Sequence, residues 1–470
     1  MDISNIKHIF VLMLENRSFD HMLGYSNLPG INGCAGKSFS NSDGLGENVL
    51  TTPDADYSGD FDPDPGHDFD DVTLQLYGTH TPASGRQPDM TGFVESYREK
   101  CKGDIPSSHR IMSCFDQGRL PVLVTLAAQY AVCDSWFSSI PGPTLPNRLF
   151  VHCGTSGGRL DMSPEYFAGF HTIYELLDKA SVANTYPKGV PSTIYSDGWT
   201  SAATFPYLLK YQDQFFGTLD DFYSDCARNE RDVPAYCFIE PRYSSGFVDE
   251  TFFPQNDQHP DSDVRQGEKL IYRVYQAIRK NKELWESSIL AITYDEHGGL
   301  YDHVAPPGAP APDDLTSPNP VFDFTRLGVR VPAVIVSPYI NPGTVSHIQF
   351  DHTSIIATVR KVLTGVWQDN SLGRRAAQAN TFDDASILNR DGPRQDQIDI
   401  PAPAPPVPST NALAINGLQR EHVRQAAYLD GQLAPGKRTG VDLATITTDQ
   451  QADAYIARVF AAARSAKRGG

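Results

Sequence analysis

Apolar runs that end in polar turns are the clearest pattern along this chain. Residues 9–14 are six apolar residues in a row, which predicts a strand buried on both faces. Glu15 and Asn16 follow at once, and Ser18 predicts the N-cap of a helix over residues 19–25. Ligands bind beyond the carboxyl ends of strands in an open α/β sheet, so Glu15 and Asn16 are placed to hold a cation. The alternative is that they only cap the helix.

The same alternation continues to about residue 390. Further strands are predicted at residues 130–137, 192–196, 235–239, 288–294 and 329–336. Helices are predicted at residues 67–77, 89–100, 120–129, from about 147, 172–181, 205–211, 219–228, 261–280 and 350–363. Alternating strands and helices predict an α/β domain, residues 1–390, with a mostly parallel central sheet flanked by helices on both faces. Gly, Asp, Ser, Asn and Pro dominate residues 27–66, which predicts a long loop insertion.

The composition changes near residue 391. PAPAPPVPS at residues 401–409 predicts an extended strap, and the Ala-rich residues 441–465 predict a terminal helix. We therefore predict a second region, residues 391–470, formed by a Pro-rich strap and a helical tail. Its expected role is packing or a partner surface rather than chemistry.

Oxygen-bearing side chains recur just past predicted strands or in the turns that follow them. They are Glu15 with Asn16, Thr144, and Asp295 with Glu296. At one rim of a sheet, such groups can surround a divalent cation, which would lower the pKa of a threonine hydroxyl and screen a phosphate. Because the ligands are all oxygens, magnesium, calcium or manganese is expected rather than zinc. The alternative is a set of unrelated turn residues.

Several histidines lie in loop sequence rich in Gly, Pro and Asp. His67, His259, His297 and His303 are placed to donate to phosphate oxygens or to protonate a leaving alkoxide. Five other histidines are predicted to be surface residues: His8, His80, His109, His171 and His422. His152 is predicted to pack in the core.

A serine hydrolase is a competing interpretation. GTSGG at residues 154–158 matches the G-x-S-x-G elbow, with Ser156 as the nucleophile. The residues after it do not form a convincing helix, which the elbow requires, so Thr144 is the preferred nucleophile.

The overall charge limits the partners. With 57 acidic and 39 basic residues the formal net charge is -18, which argues against general binding to nucleic acid or to an anionic membrane. The seven cysteines have no zinc-ligand spacing, and an odd number leaves at least one thiol free or paired between chains. Neither a signal peptide nor a membrane span is recognisable, so we expect a soluble protein of undetermined compartment and oligomeric state.

Five motifs in sequence order carry a family resemblance. They are ENRSFDH (15–21), PTLPNR (143–148), YDEHGGLYDHV (294–304), VPAVIVSPY (331–339) and DHTSII (351–356). Together they resemble the bacterial phospholipase C/acid phosphatase family of phosphoesterases, relatives of the alkaline phosphatase superfamily, over about residues 6–363. The resemblance implies an alkaline-phosphatase-like fold with a metal bound by Glu15, Asn16, Asp295 and Glu296. It implies that Thr144 is the nucleophile, at a position where some members have Ser. It also implies that His67 and His259 contact phosphate and that His303 is a further site histidine.

The implied activity is metal-dependent hydrolysis of a phosphate ester through a phosphothreonine. A phospholipase C would release diacylglycerol and a phosphorylated head group, whereas an acid phosphatase would act on phosphomonoesters. A binding or effector protein that keeps the fold without turnover is the alternative from another class.

Overall fold

A computed structural model describes residues 2–57, 61–162, 169–183, 185–248, 250–318, 320–406 and 410–468, with side chains up to residue 463. Its strands, in chain order, are β1 (His8–Leu14), β2 (Ser40–Ser42), β3 (Asn48–Leu50), β4 (Ala131–Cys133), β5 (Ser192–Ser196), β6 (Phe216–Thr218), β7 (Tyr236–Glu240), β8 (Gly246–Val248), β9 (Thr251–Phe253), β10 (Ser288–Tyr294), β11 (Ser317–Pro318), β12 (Val321–Phe322), β13 (Ala333–Val336) and β14 (Thr344–Ser346).

The helices surround one large sheet. They are α1 (Phe19–Leu23), α2 (Phe69–Tyr77), α3 (Phe93–Lys100), α4 (Ile105–His109), α5 (Pro121–Gln129), α6 (Thr144–Cys153), α7 (Ile173–Lys179), α8 (Pro206–Lys210), α9 (Gln212–Phe215), α10 (Leu219–Cys226), α11 (Val264–Lys280), α12 (Lys282–Trp285), α13 (Thr353–Thr364), α14 (Arg374–Gln378), α15 (Gly417–Gln432) and α16 (Asp449–Arg468).

The strand order of the large sheet is β14-β4-β13-β10-β1-β7-β5-β6. Within the described residues, five of its seven pairings are parallel, and β13 is antiparallel to both of its neighbours. Every residue of β1 and β10 is buried, as expected for central strands covered on both faces. The predicted fold class, a mostly parallel sheet with helices, is confirmed.

The start of α6 differs from the prediction. The helix begins at Thr144, three residues before the predicted start near residue 147. The prolines of PTLPNR suggest a turn, but Pro143 is the N-cap and Pro146 lies in the first turn, where a helix needs no N–H donor from proline. Thr144 is therefore the first residue of the helix rather than part of the turn before it.

The tail contains more regular structure than predicted. The terminal helix is confirmed as α16, but α15 was not predicted. Residues 401–406 lack regular structure, as expected of a strap, and residues 407–409 of the predicted strap lie outside the described part of the chain. The two tail helices pack on each other and on Trp199 and Ala203 of the main domain.

All seven cysteines are buried and free. Among the described residues, no helix is long and apolar enough to cross a membrane.

Candidate active site

The register of the two central strands brings the first site residues together. Leu14 of β1 pairs with Tyr294 of β10, so the residues that follow each strand emerge side by side. Asn16 has a left-handed backbone with φ 53° and its N–H donates to Asp295 Oδ1 at 3.0 Å. Gly298 packs closely against this turn. A Cβ at this position would lie 2.2 Å from the Asn16 carbonyl oxygen, so a larger residue would clash. The polar ends of β1 and β10 therefore form one interlocked turn.

Thr144 joins this turn from the opposite side. Its Oγ1 lies 3.2 Å from Asn16 Oδ1 and 3.3 Å from Glu15 Oε2, and the residue is fully buried. Because Thr144 is the first residue of α6, its hydroxyl lies at the N-terminus of a helix, where the helix dipole favours an anion. Thus four residues predicted from three separate motifs are in one connected contact group: Glu15, Asn16, Thr144 and Asp295.

Arg148, one turn further along α6, is the cation of this group. Its guanidinium contacts the carboxylates of Glu15, of Glu240 at 3.3 Å and of Asp295 at 3.4 Å. Burial lowers the pKa of Arg148, but Glu15 and the other acidic groups outweigh that effect and hold it well above its ordinary value. Burial, reinforced by Asp295 and opposed by Arg148, raises the pKa of Glu15. One guanidinium therefore faces three buried carboxylates.

The donor atoms around this group fit a divalent cation. Within the described part of the chain, Glu296 Oε1 is buried without a hydrogen-bond partner, and Asp295 Oδ2 has no hydrogen bond besides its ion pair with Arg148 at 3.4 Å. The other Glu296 oxygen accepts from the Gly298 N–H at 2.8 Å. Unpartnered carboxylate oxygens and uncompensated negative charge are what a hard cation satisfies. Glu15, Asn16, Asp295 and Glu296 are thus suitable ligands.

Removing Arg148 tests this charge balance. We expect Arg148→Met to lower the free energy of unfolding by about 3–5 kcal/mol, because three carboxylates would stay buried without their cation. Urea titration with and without excess Mg²⁺ measures the loss, and Mg²⁺ should recover part of it. Arg86→Met, which removes an exposed pair with Asp89, is the control and should cost less than about 1 kcal/mol. An equally small loss in Arg148→Met would contradict the conclusion that Arg148 neutralises three buried carboxylates.

His259 lies in a loop fixed by Arg17. The Arg17 Nε donates to the carbonyl of Gln258 at 2.6 Å, and its Nη2 to the carbonyl of His259 at 3.2 Å. His259 is fully buried, with Nδ1 2.7 Å from Asp261 Oδ1 and Nε2 3.7 Å from Asp64 Oδ2. Burial lowers its pKa, but Asp261 and Asp64 outweigh burial and raise the pKa well above the ordinary value. These two carboxylates therefore favour the protonated, imidazolium form of His259.

His67 lies beside His259, with ring centroids 6.5 Å apart. Its Nδ1 is 2.8 Å from the carbonyl of Pro65. Burial lowers the pKa of His67, and the negative charges of Glu296 and Asp64 outweigh it, so the pKa is raised overall. Glu296 thus connects His67 electrostatically to the carboxylate group.

His303 has different neighbours. Its Nδ1 lies 2.6 Å from Asp20 Oδ2, its Nε2 lies 3.1 Å from Asn32 Oδ1, and its ring stacks on Phe39. Asp20 also accepts from Arg330 at 3.0 Å. The contacts of His303 among the described residues are thus with a second buried ionic cluster and not with Thr144. A role for His303 in the site stays a prediction.

His297 packs behind Glu296. Its Nδ1 is 3.3 Å from Glu296 Oε2 and its Nε2 is 2.8 Å from Gln75 Oε1.

Ser156, the competing nucleophile, hydrogen-bonds outside this group, since its hydroxyl donates to the carbonyl of Arg159 at 2.8 Å. His152 packs in the core as predicted, with its ring 4.8 Å from that of Phe238.

The tail contacts the site through α15. The N-cap residue Asn416 donates through Nδ2 to Asp261 Oδ2 at 2.9 Å, and Asp261 in turn holds His259. The ring of His422 lies 4.8 Å from that of Tyr243, whose hydroxyl donates to Glu240 at 3.0 Å. The tail therefore supports both the histidine and the arginine of the site.

Two histidine predictions are wrong. His422 and His8 were expected at the surface, but both are buried. His422 fills the interface between α15 and the main domain, and His8 hydrogen-bonds the carbonyl of Pro234. The sequence around these histidines does not indicate which distant part of the chain will bury them.

The pH dependence of activity tests the His259 assignment. Because the folded-state pKa of His259 is raised, its contribution to stability is complete below about pH 6.5 and is lost as the pH rises through the folded pKa. If the imidazolium is required, Asp261→Asn should move the alkaline limb of kcat/KM to lower pH. Asn416→Ala keeps the Asp261 charge and should leave that limb in place. Identical pH profiles for wild type and Asp261→Asn would exclude His259 as the titrating group.

Several site residues were missed from the sequence. Glu240 ends β7, so the rule that identified Glu15 and Asp295, a carboxylate at the end of an apolar run, could have found it. Arg148 lies inside PTLPNR, and Asp64 is three residues before His67. Asn416 gave no signal, because only the folded tail brings it to Asp261.

A cavity of about 950 Å³ lies against the site. Its lining includes Asp64 and His67, together with Met162, whose sulfur accepts from the Leu145 N–H at 3.4 Å. Leu145 follows Thr144 directly, so the inner wall of the cavity touches the residue next to the candidate nucleophile. The hydroxyl, the carboxylates and the adjacent cavity form a candidate enzyme site at the carboxyl edge of the sheet.

Comparison with known proteins gives the family. The model of the Phosphoesterase family matches residues 6–364. Non-specific phospholipase C6 of Arabidopsis thaliana is 38% identical over 450 residues, covering 91% of this chain and 81% of that protein. Phospholipase C B of Mycobacterium tuberculosis is 26% identical over 438 residues, covering 84% and 81%. The chain belongs to the Phosphoesterase family and is a phosphoric ester hydrolase.

The similarity to solved structures is more distant. A protein of the alkaline phosphatase superfamily from Vibrio parahaemolyticus has a TM-score of 0.34 at 14% identity, covering 55% of this chain and 64% of that chain. Similarity of this extent adds nothing to the functional assignment.

Proposed function

We propose that this protein is a phospholipase C that cleaves phospholipids through a phosphothreonine at Thr144, with one divalent cation. The observation that carries the proposal is the position of the Thr144 hydroxyl, within 3.3 Å of Glu15 and Asn16 at the start of α6. A nucleophilic hydroxyl needs a nearby proton acceptor and a positive environment for the phosphate, and this position offers both.

In the first step, Thr144 Oγ1 attacks phosphorus and the bond to the diacylglycerol oxygen breaks. Glu15 Oε2 is the acceptor placed for the hydroxyl proton. The imidazolium of His259 supplies the proton that the leaving alkoxide takes up, and His67 binds phosphate oxygens. The positive end of the α6 helix dipole stabilises the charge on the transferring group.

In the second step, water attacks the phosphothreonine, the bond between phosphorus and Thr144 Oγ1 breaks, and Glu15 returns its proton to Thr144 Oγ1 as the phosphorylated head group leaves. His259, neutral after the first step, accepts a proton from that water, as microscopic reversibility requires of a group that acted as the acid. A divalent cation held by Glu15, Asn16, Asp295 and Glu296 would lower the pKa of the Thr144 hydroxyl and neutralise phosphate charge.

A product assay distinguishes a phospholipid from a phosphomonoester substrate. The relatives named above are phospholipases C, and the cavity beside the site has an apolar wall formed by Phe69, Leu160 and Met162 with two prolines. We expect phosphatidylcholine to yield diacylglycerol and phosphocholine faster than p-nitrophenyl phosphate yields phosphate. Turnover of p-nitrophenyl phosphate alone would make the protein an acid phosphatase, and release of fatty acid would exclude the phospholipase C reaction.

A further inference from the structure

An exposed apolar tip stands at the rim of the cavity. β11 and β12 pair as a short antiparallel hairpin, in which Val321 is 85% exposed. Leu315, just before β11, is 53% exposed. Among the described residues, Val321 is the most exposed large apolar side chain, and its neighbour Pro320 lines the cavity.

The tip stands on a firm base. Phe322, directly after Val321, is buried against Phe324, with ring centroids 5.0 Å apart, and against Phe69 at 5.1 Å. These rings belong to a core cluster that also contains Leu160. Phe322 therefore anchors β12 to the main domain directly beside Val321.

The same hairpin lines the cavity that reaches the site. Pro318 and Pro320 form part of its lining, followed by Phe69, Leu160 and Met162. Met162 contacts the residue next to Thr144 through the Leu145 amide. An apolar strip thus runs from the exposed tip to the neighbourhood of the nucleophile, as a substrate with a long apolar part requires.

Positive charge on α15 complements this strip. Arg420 and Arg424 are both exposed and line the cavity, and Arg424 is held by the buried Glu421 at 2.9 Å. Exposed arginines beside an apolar tip fit the phosphates and acyl chains of a phospholipid surface. The lining also contains Asp68, Asp70 and Asp71, and the chain carries a net charge of -18, so an anionic surface would be repelled.

We propose that Val321 and Leu315 insert into a zwitterionic phospholipid surface and deliver a lipid from it into the cavity. The proposal rests on the phospholipase C activity proposed above and adds where the enzyme meets its substrate. Val321 and Leu315 enter the acyl region, Arg420 and Arg424 contact lipid phosphates, and the apolar strip accepts the diacylglycerol portion. The surface is separate from the groups that perform the reaction.

The experiment uses a Val321→Asp, Leu315→Asp double variant of the full-length protein. Phosphatidylcholine vesicles are sedimented with protein, and hydrolysis is measured both on vesicles and on short-chain phosphatidylcholine below its critical micelle concentration. We expect vesicle binding and vesicle hydrolysis to fall by about tenfold or more, since two apolar side chains lose their burial in lipid. Turnover of the monomeric lipid should stay within about twofold of wild type.

The matched control is Val366→Asp with Leu45→Asp. These residues are 55% and 60% exposed and lie outside the lining of the cavity. The control should bind and hydrolyse vesicles as wild type does. An equal loss in the control would show a general effect of added negative charge and would overturn the proposal.

Other outcomes separate the docking surface from the proposed activity. Unchanged vesicle binding in the Val321, Leu315 variant would overturn the docking proposal while leaving the phospholipase activity intact. A parallel loss on monomeric lipid would overturn it too, because the hairpin would then shape the cavity rather than bind a surface. A change from dimer to monomer in sedimentation velocity would assign the tip to contact between two copies. If wild type binds vesicles through the tip but cleaves no phospholipid, the docking surface stands and the proposed function fails.

Discussion

Thr144→Ala should lower turnover by about a thousandfold or more, the largest loss expected from any single substitution in this protein. The substitution removes the oxygen that would form the bond to phosphorus, while the carboxylates and histidines remain. Binding of substrate should change much less, so the loss should appear in kcat rather than in KM. Steady-state kinetics on phosphatidylcholine, with circular dichroism to confirm folding, provides the measurement.

Two further variants make this result specific. Thr144→Ser keeps a hydroxyl at the same place and should retain most of the activity, whereas Thr144→Val keeps the shape without the oxygen and should be as inactive as Thr144→Ala. Ser156→Ala should leave turnover nearly unchanged, since Ser156 donates to the Arg159 carbonyl and not to a site residue. Inactivity of Ser156→Ala with an active Thr144→Ala would move the protein to the serine hydrolases.

The double substitution Asn16→Ala, Asp295→Ala should abolish metal binding and activity together. These two residues supply oxygens from adjacent strand ends, and their loss leaves too few ligands for a hard cation. Elemental analysis of wild type should find about one divalent ion per chain, magnesium, calcium or manganese rather than zinc. In the double variant the content should approach zero.

An acidic group elsewhere on the chain is the matched control. Asp43, Glu47 and His109 could also bind an ion, since their ligand atoms lie within 4.8 Å of one another. Asp43→Ala with Glu47→Ala should leave metal content and turnover unchanged. Normal metal content in the Asn16, Asp295 variant, together with a loss of metal in this control, would place the ion at Asp43 and Glu47 and contradict the predicted metal site.

The central strands could be predicted because their sequence allows one interpretation. The apolar run at residues 9–14 and the mainly apolar run at residues 288–294 match β1 and β10 to within one residue at either end. The alternation of strands and helices predicted a mostly parallel sheet with these carboxylates at one rim. They meet because β1 and β10 are parallel neighbours in register, which the structure shows. Short edge elements such as β6 and β14, three residues each, carry no comparable signal.

The contribution of the tail could not be predicted because α15 buries polar residues. Gln419, His422 and Gln425 are all buried, so the apolar period that marks an amphipathic helix is interrupted. Their partners, among them Tyr243 and Trp199, are more than 170 residues away in sequence. His303 shows that a recognisable motif does not reveal the contacts of its side chains. Its Nδ1 lies against Asp20, a contact that only the folded chain defines.

Acid quenching during turnover tests the central claim most directly. Wild-type protein mixed with excess phosphatidylcholine, quenched within milliseconds and digested, should carry phosphocholine on the peptide that contains Thr144, identified by mass spectrometry. The same peptide from Thr144→Ala should be unmodified. A modified Ser156, or full turnover with no modified residue at any quench time together with an active Thr144→Ala, would contradict the phosphothreonine mechanism.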